Sequence, residues 1–226
     1  MSKTHSHFRA VVFDMDGILI DSEPLFRSVA KQTAADLGYT LSDAVYVQWM
    51  GLPPKAVEAA VVQSMGPEFP IETFRERFSE HWTTHTDLHG VPAQPGIPEL
   101  LAELQARDIP FAVATSTRRN HAERSLEMAG LASFIDVLVG GDEVEQGKPE
   151  PEIFQSAAKK IAVPAASCVA LEDSSVGVRA ASSARMLTIM VPDLHLPSAE
   201  IAALARFVVP STSRAAEVVL TLFDSR

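Results

Sequence analysis

The chain has 226 residues, 46% of them hydrophobic and 21% charged, with a formal net charge of −10 and a pI near 5.1. Such an acidic balance argues against a nucleic-acid or anionic-membrane surface, which needs a basic stripe, but leaves room for a small anion met by a few local cations. The single cysteine, Cys168, excludes an internal disulfide and fits a reducing compartment.

In chain order, the polar arm "MSKTHSHFR" lacks the apolar stretch of a secretory signal. No later apolar run approaches the roughly 20 residues that cross a bilayer. A cytoplasmic protein with no membrane partner is therefore expected. The first strand is "AVVF", which runs directly into Asp14, Met15, Asp16 and Gly17, with a further acid at Asp21. A plain turn would use one of these acids, since Asp and Gly are ordinary turn residues. Two on one side of a strand end repel each other unless something positive sits between them.

From Ser22 to about Ala93 only helical patterns follow. "SEPLFRSVAKQTAADLG" opens on Ser22 and an early Pro and closes on Gly38, with Asp21 and Ser22 as cap residues. A short helix around residues 42–49, then "PPKAVEAAVVQSMG" and "PIETFRERFSEHWTTHTDLHG", complete a predicted four-helix bundle. "QPGIPELL" leads back to a second rhythm. The runs "PFAVAT", "IDVLVG", "CVALE", "MLTIMV" and "RFVV" alternate with helical patterns such as "NHAERSLEMAG", "PEIFQSAAKKIA" and "SVGVRAASSAR". Apolar strands without polar alternation, separated by helices, predict a doubly wound parallel sheet covered on both faces. The expected organisation is an α/β core formed by residues 1–21 and 94–226, with residues 22–93 inserted as a helical lid.

In this fold ligands gather beyond the carboxyl ends of the strands. Asp14 and Asp16 leave the first strand there on the same side, an oxygen pair that suits Mg²⁺, which takes one or two carboxylates and keeps several waters. Gly17 lets the backbone approach a phosphate closely. A second strand ends in the hydroxyls Thr115, Ser116 and Thr117, "GKPEP" brings Lys148 to a helix start, and "VALEDS" ends a further strand in Glu172 and Asp173. Alone, Lys148 reads as a solvated lysine and Thr115 as a strand-end hydroxyl. In order with Asp14 and Asp173 they read as a site.

The four segments "DMDGILIDSE", "ATS", "GKPEPEIF" and "LEDSSVGVRAA" closely resemble the motifs of the haloacid dehalogenase superfamily, in its phosphatase branch with a helical cap. The resemblance runs nearly end to end. It implies Asp14 as the nucleophile that forms an aspartyl phosphate and Asp16 as the general acid and then base. Thr115 would hold phosphoryl oxygens, and Lys148 would neutralise charge between nucleophile and phosphate. Mg²⁺ would be held by Asp14, Asp173 and the main-chain carbonyl of Asp16, with Glu172 in support. Gly17, Ser116, Thr117, Arg118 and the lid-loop Gly51 are the implied phosphate and substrate contacts. The implied partner is a small phosphomonoester; the sequence leaves the oligomeric state open, with a monomer favoured.

Rival readings differ at named residues. A phospho-receiver module also uses a strand-end Asp, a hydroxyl and a lysine, but has no acid at the position of Asp16 and no lid. Dehalogenation has no use for that acid either. A sugar phosphomutase of the β-phosphoglucomutase type shares the motifs, yet such mutases carry a His where this chain has Phe26. They also have basic residues where it has Met50 and Pro54, with Lys55 as a partial substitute. Asp142 and Glu143 in "GGDEV" read as a loop, and His81, His85 and His89 as a solvated helix face rather than a metal site.

Overall fold

The computed structural model describes residues 8–49, 54–192 and 196–224. Strand β1 (Ala10–Phe13) is buried along its whole length, as four consecutive apolar residues require. Helices α1 (Glu23–Asp36), α2 (Asp43–Tyr46), α3 (Pro54–Met65) and α4 (Ile71–His89) follow. The chain then runs through α5 (Ile97–Ala106), β2 (Phe111–Ala114), α6 (Arg119–Met128), β3 (Leu138–Val139) and α7 (Glu152–Lys160). It closes with β4 (Cys168–Glu172), α8 (Ser175–Ser183), β5 (Leu187–Met190), α9 (Ala199–Leu204), β6 (Phe207–Val208) and α10 (Thr212–Asp224).

Among the described residues the six strands form one parallel sheet in the order β3-β2-β1-β4-β5-β6, a doubly wound fold. Phe13 is level with Val113 on one side and Leu171 on the other, so β1, β2 and β4 end side by side. Small strand residues let a helix settle closely on the sheet: Ala10, Ala112, Ala114 and Ala170 pack with Ile153, Phe154, Ala157 and Ala158 of α7. The run "IDVLVG" supplies only a two-residue edge strand. Helices α9 and α10 had no counterpart in the reading of the sequence.

The chain divides into two compact units, Met1–Asp21 with Pro92–Arg226, and Ser22–Val91. The helical unit has its own core, in which Ala30, Ala34, Leu41, Tyr46, Trp49, Val61, Phe69 and Phe74 are buried. Ser42 caps α2 by accepting from the Val45 N–H at 3.3 Å. Ser22 stands at the N-cap position of α1 but makes no side-chain bond to the helix's first amides, because its backbone is already helical. The two ends of this unit emerge from a stitched pair: Asp21 N–H donates to Pro92 O (2.8 Å) and Gln94 N–H to Leu19 O (2.9 Å).

His81 does not lie on a solvated face. It is half-buried, with Nδ1 3.1 Å from Thr33 Oγ1 and Nε2 3.2 Å from Asp36 Oδ2, and clasps α4 to α1. His85 and His89 stack on each other, with ring centroids 4.6 Å apart.

Candidate active site

The strand order reverses between β1 and β4, and at such a switch point adjacent loops part to leave a crevice. Asp14 follows β1, its N–H donating to Leu171 O at 2.9 Å, and its carboxylate is almost fully buried. Lys148 reaches it from the loop before α7. Its Nζ donates to Asp14 Oδ1 at 2.5 Å and to Glu172 Oε1 at 2.6 Å, with its side chain only 4% exposed. The Phe154 ring lies 5.1 Å beneath the same ammonium.

Glu172 is fully buried, and its second oxygen is engaged as well. Oε2 accepts from Asp173 N, Ser174 N and Ser174 Oγ, each at 3.0 Å. It therefore anchors Lys148 and shapes the turn after β4. Burial works against the charge of Lys148, but the Asp14 and Glu172 carboxylates outweigh it and hold the ammonium above its ordinary pKa. For Asp14 the balance falls the other way. Burial and then the Glu172 charge raise its pKa to about 7, despite Lys148. Asp173 is raised well above the usual carboxylate value by burial and by the charges of Glu172 and Asp14.

Asp14, Glu172 and Asp173 each bring one carboxylate oxygen within 4.8 Å of the others. Three acids and one lysine leave an excess of negative charge, which adds to burial in lifting Asp14 and Asp173. The donor set fits a hard divalent cation held by oxygen ligands. Asp14 and Asp173 are the natural ligands, since Glu172 already accepts four hydrogen bonds. Gly17, at φ +80°, makes room: a Cβ there would stand 2.3 Å from Asp173 Oδ2. The Asp16 carboxylate lies outside this cluster and accepts from Thr117 Oγ1 at 2.9 Å.

Thr115 directly follows β2 and is almost fully buried, with its Oγ1 accepting from the Thr117 N–H at 3.1 Å. Ser116 and Arg118 are exposed beside it. Met50, Gly51 and the side chains of Pro54 and Lys55 lie outside the described residues. Sequence reasoning overlooked Gly177, although a glycine inside a helical pattern usually has a packing reason. A Cβ there would sit 1.7 Å from Glu172 Oε1, so only glycine lets α8 pass this close to the carboxylate. It also overlooked Ser174, which caps α8 through the Gly177 N–H at 3.1 Å while donating to Glu172.

The raised carboxylates give a linkage with a definite sign. Without cation, the folded protein binds protons that the unfolded chain releases, between the ordinary carboxylate value of 3.8 and about 7. Its stability therefore falls as pH rises through that window. A divalent cation bound by these oxygens would reverse the loss. At one hundred times its Kd, Mg²⁺ is expected to raise the melting temperature by about 5–10 °C at pH 8. The gain should be much smaller at pH 5, where protons compete for the same oxygens. Calorimetry at both pH values checks this, and equal shifts would contradict it.

Residues 11–191 match the model of the haloacid dehalogenase-like hydrolase family. The chain is 33% identical over 176 residues to a phosphorylated carbohydrates phosphatase of Thermotoga maritima, covering 77% of this chain and 81% of that protein. It is 29% identical over 203 residues to hexitol phosphatase B of Escherichia coli K12, covering 81% and 83%. The crystal structure of CbbY from Rhodobacter sphaeroides in complex with phosphate superposes with a TM-score of 0.77 at 29% identity, covering 91% of this chain and 95% of that one. The chain belongs to the haloacid dehalogenase-like hydrolase family, as a phosphoric monoester hydrolase.

Proposed function

We propose that this enzyme hydrolyses a small sugar phosphate through an aspartyl-phosphate intermediate, with Mg²⁺ as cofactor. The observation that carries the reading is the buried Asp14, placed at a strand end against Lys148. An Asp14 oxygen attacks phosphorus in line as the ester P–O bond breaks, and Asp16 gives its proton to the departing alkoxide. Water then attacks the acyl phosphate, and Asp16 takes a proton from it. Inorganic phosphate leaves and the Asp14 carboxylate is restored. Lys148 offsets charge on the phosphoryl oxygens, and Thr115 with the exposed Ser116 and Arg118 orients them. A magnesium ion held by Asp14 and Asp173 would add electrostatic stabilisation of the transferring phosphoryl group. Residues 22–93 are proposed to act as the lid that excludes water.

Hydrolysis is favoured over phosphomutation by Phe26. Its ring packs 4.2 Å from Trp82 and 5.6 Å from Phe78, centroid to centroid, and offers no proton or charge to a distal phosphate. The sugar assignment draws on the two phosphatase relatives, whose names specify phosphorylated carbohydrates and hexitols.

A phosphate-release screen over small phosphomonoesters tests the reading, with sugar and polyol phosphates expected to lead. In the same assay Asp16→Asn should lower turnover on alkyl phosphates by about 10²–10⁴-fold. The loss should be far smaller on 4-nitrophenyl phosphate, whose leaving group needs little protonation. An equal loss on both esters would remove Asp16 from the acid role.

A further inference from the structure

We propose that Thr117, braced by the loop Gly140–Glu143, positions Asp16 for proton transfer; this rests on the reading of Asp16 as the general acid. Asp16 is half-buried, and its Oδ2 accepts the Thr117 hydroxyl at 2.9 Å. That bond commits one carboxylate oxygen and fixes the angle at which the carboxylate is presented. A threonine on a strand-end loop needs its own support to hold a partner at a fixed angle.

The support comes from the loop after β3. Gly141 N–H donates to Thr117 O at 2.9 Å, and the Arg119 N–H donates to Asp142 Oδ1 at 2.8 Å. Glu143 accepts from the Gly140 N–H at 2.8 Å, from Lys160 Nζ at 2.8 Å and from the Arg119 guanidinium at 3.1 Å. Arg119 also donates to Leu138 O at 3.0 Å. Residues 117 and 119 are thus fixed by three consecutive residues, 141–143, and the loop itself is tied to α7. The approach leaves no slack. A Cβ on Gly141 would lie 2.2 Å from Ser116 O, and one on Gly140 would lie 2.5 Å from Arg119 N. The pentapeptide "GGDEV", which read only as a loop, is the brace on one side of the acid.

The test compares Thr117→Val, Thr117→Ser and Gly141→Ala with Asp16→Asn on an alkyl phosphate and on 4-nitrophenyl phosphate. Thr117→Val keeps shape and loses the donor. It should lower kcat on the alkyl ester by up to about 10²-fold, the cost of a catalytic group misplaced by about 1 Å. KM should hold, and the aryl ester should lose only a few-fold. Thr117→Ser should restore most of the loss. Gly141→Ala should show the same leaving-group dependence, and the double variant should be no worse than the stronger single one, because both act through one bond. Equal losses on both esters for Thr117→Val, or no rescue by serine, would overturn the proposal. So would full additivity in the double variant. If Gly141→Ala fails to fold, the Thr117 pair decides alone. The two readings fail separately: Asp16→Asn without leaving-group dependence removes the acid itself. Dependence in Asp16→Asn but not in Thr117→Val removes only the positioning role.

Discussion

Replacing Lys148 by methionine is expected to destabilise the protein by about 3–5 kcal/mol, the usual cost of stripping one partner from a buried ion pair. The ammonium is the common partner of Asp14 and Glu172, which are 9% and 0% exposed at their side chains. Methionine fills much of the volume but leaves two buried carboxylates facing each other. The melting temperature should fall on the order of 10 °C for a chain of this size. Asp14, whose pKa burial already raises to about 7, can escape by taking a proton, so the loss should be greater at pH 8 than at pH 5. Turnover on 4-nitrophenyl phosphate should vanish in parallel, since charge on the transferring group loses its cation. Calorimetry at the two pH values checks the first claim. An unchanged melting temperature at pH 8 would mean that the ion triad contributes nothing to the fold.

Asp14→Asn should do the reverse for stability while removing the chemistry. The amide keeps the shape of the carboxyl and cannot form the acyl phosphate. Turnover should fall by about 10⁴-fold or more, as when a nucleophile is removed, with no acid-stable phosphoryl group trapped on the protein. The cation-free variant should nevertheless melt above the parent at pH 8. Burial and the Glu172 charge raise the Asp14 pKa to about 7, so ionising it at pH 8 costs the folded state free energy that an amide avoids. At pH 5 the parent carries the proton and the difference should close. Lys148 stays paired with Glu172 in the variant. A variant less stable than the parent at pH 8 would show that the Asp14–Lys148 attraction outweighs the cost of burial.

The sheet is legible in the sequence because each strand is an apolar run with a helical pattern after it, and only a sheet covered on both faces satisfies such runs. Strand β3 is barely legible, since an edge strand with one neighbour needs just two paired residues, Leu138 and Val139. The juxtaposition of Asp14, Lys148, Glu172 and Asp173 can be anticipated, because parallel strands deliver their carboxyl ends to one edge. What divides labour among those acids is not legible. Glu172 and Asp173 are adjacent in sequence, yet one oxygen of Glu172 takes three donors from the following turn while Asp173 faces Asp14. Nor does local sequence reveal the clasp of His81 on Thr33 and Asp36, which joins helices separated by more than thirty residues.

The stitch between Asp21 and Pro92 has a consequence for how such a protein can change over generations. The core closes the same narrow gap whatever chain is spliced into it, because Leu19, Ile20 and Asp21 pair with residues 92–94 through their own backbone. The entropy of tying a longer or shorter insert rises only slowly with its length. The helical segment is therefore an exchangeable cassette. Its helices can be remodelled, lengthened or traded while the lysine–carboxylate triad of the core keeps its register.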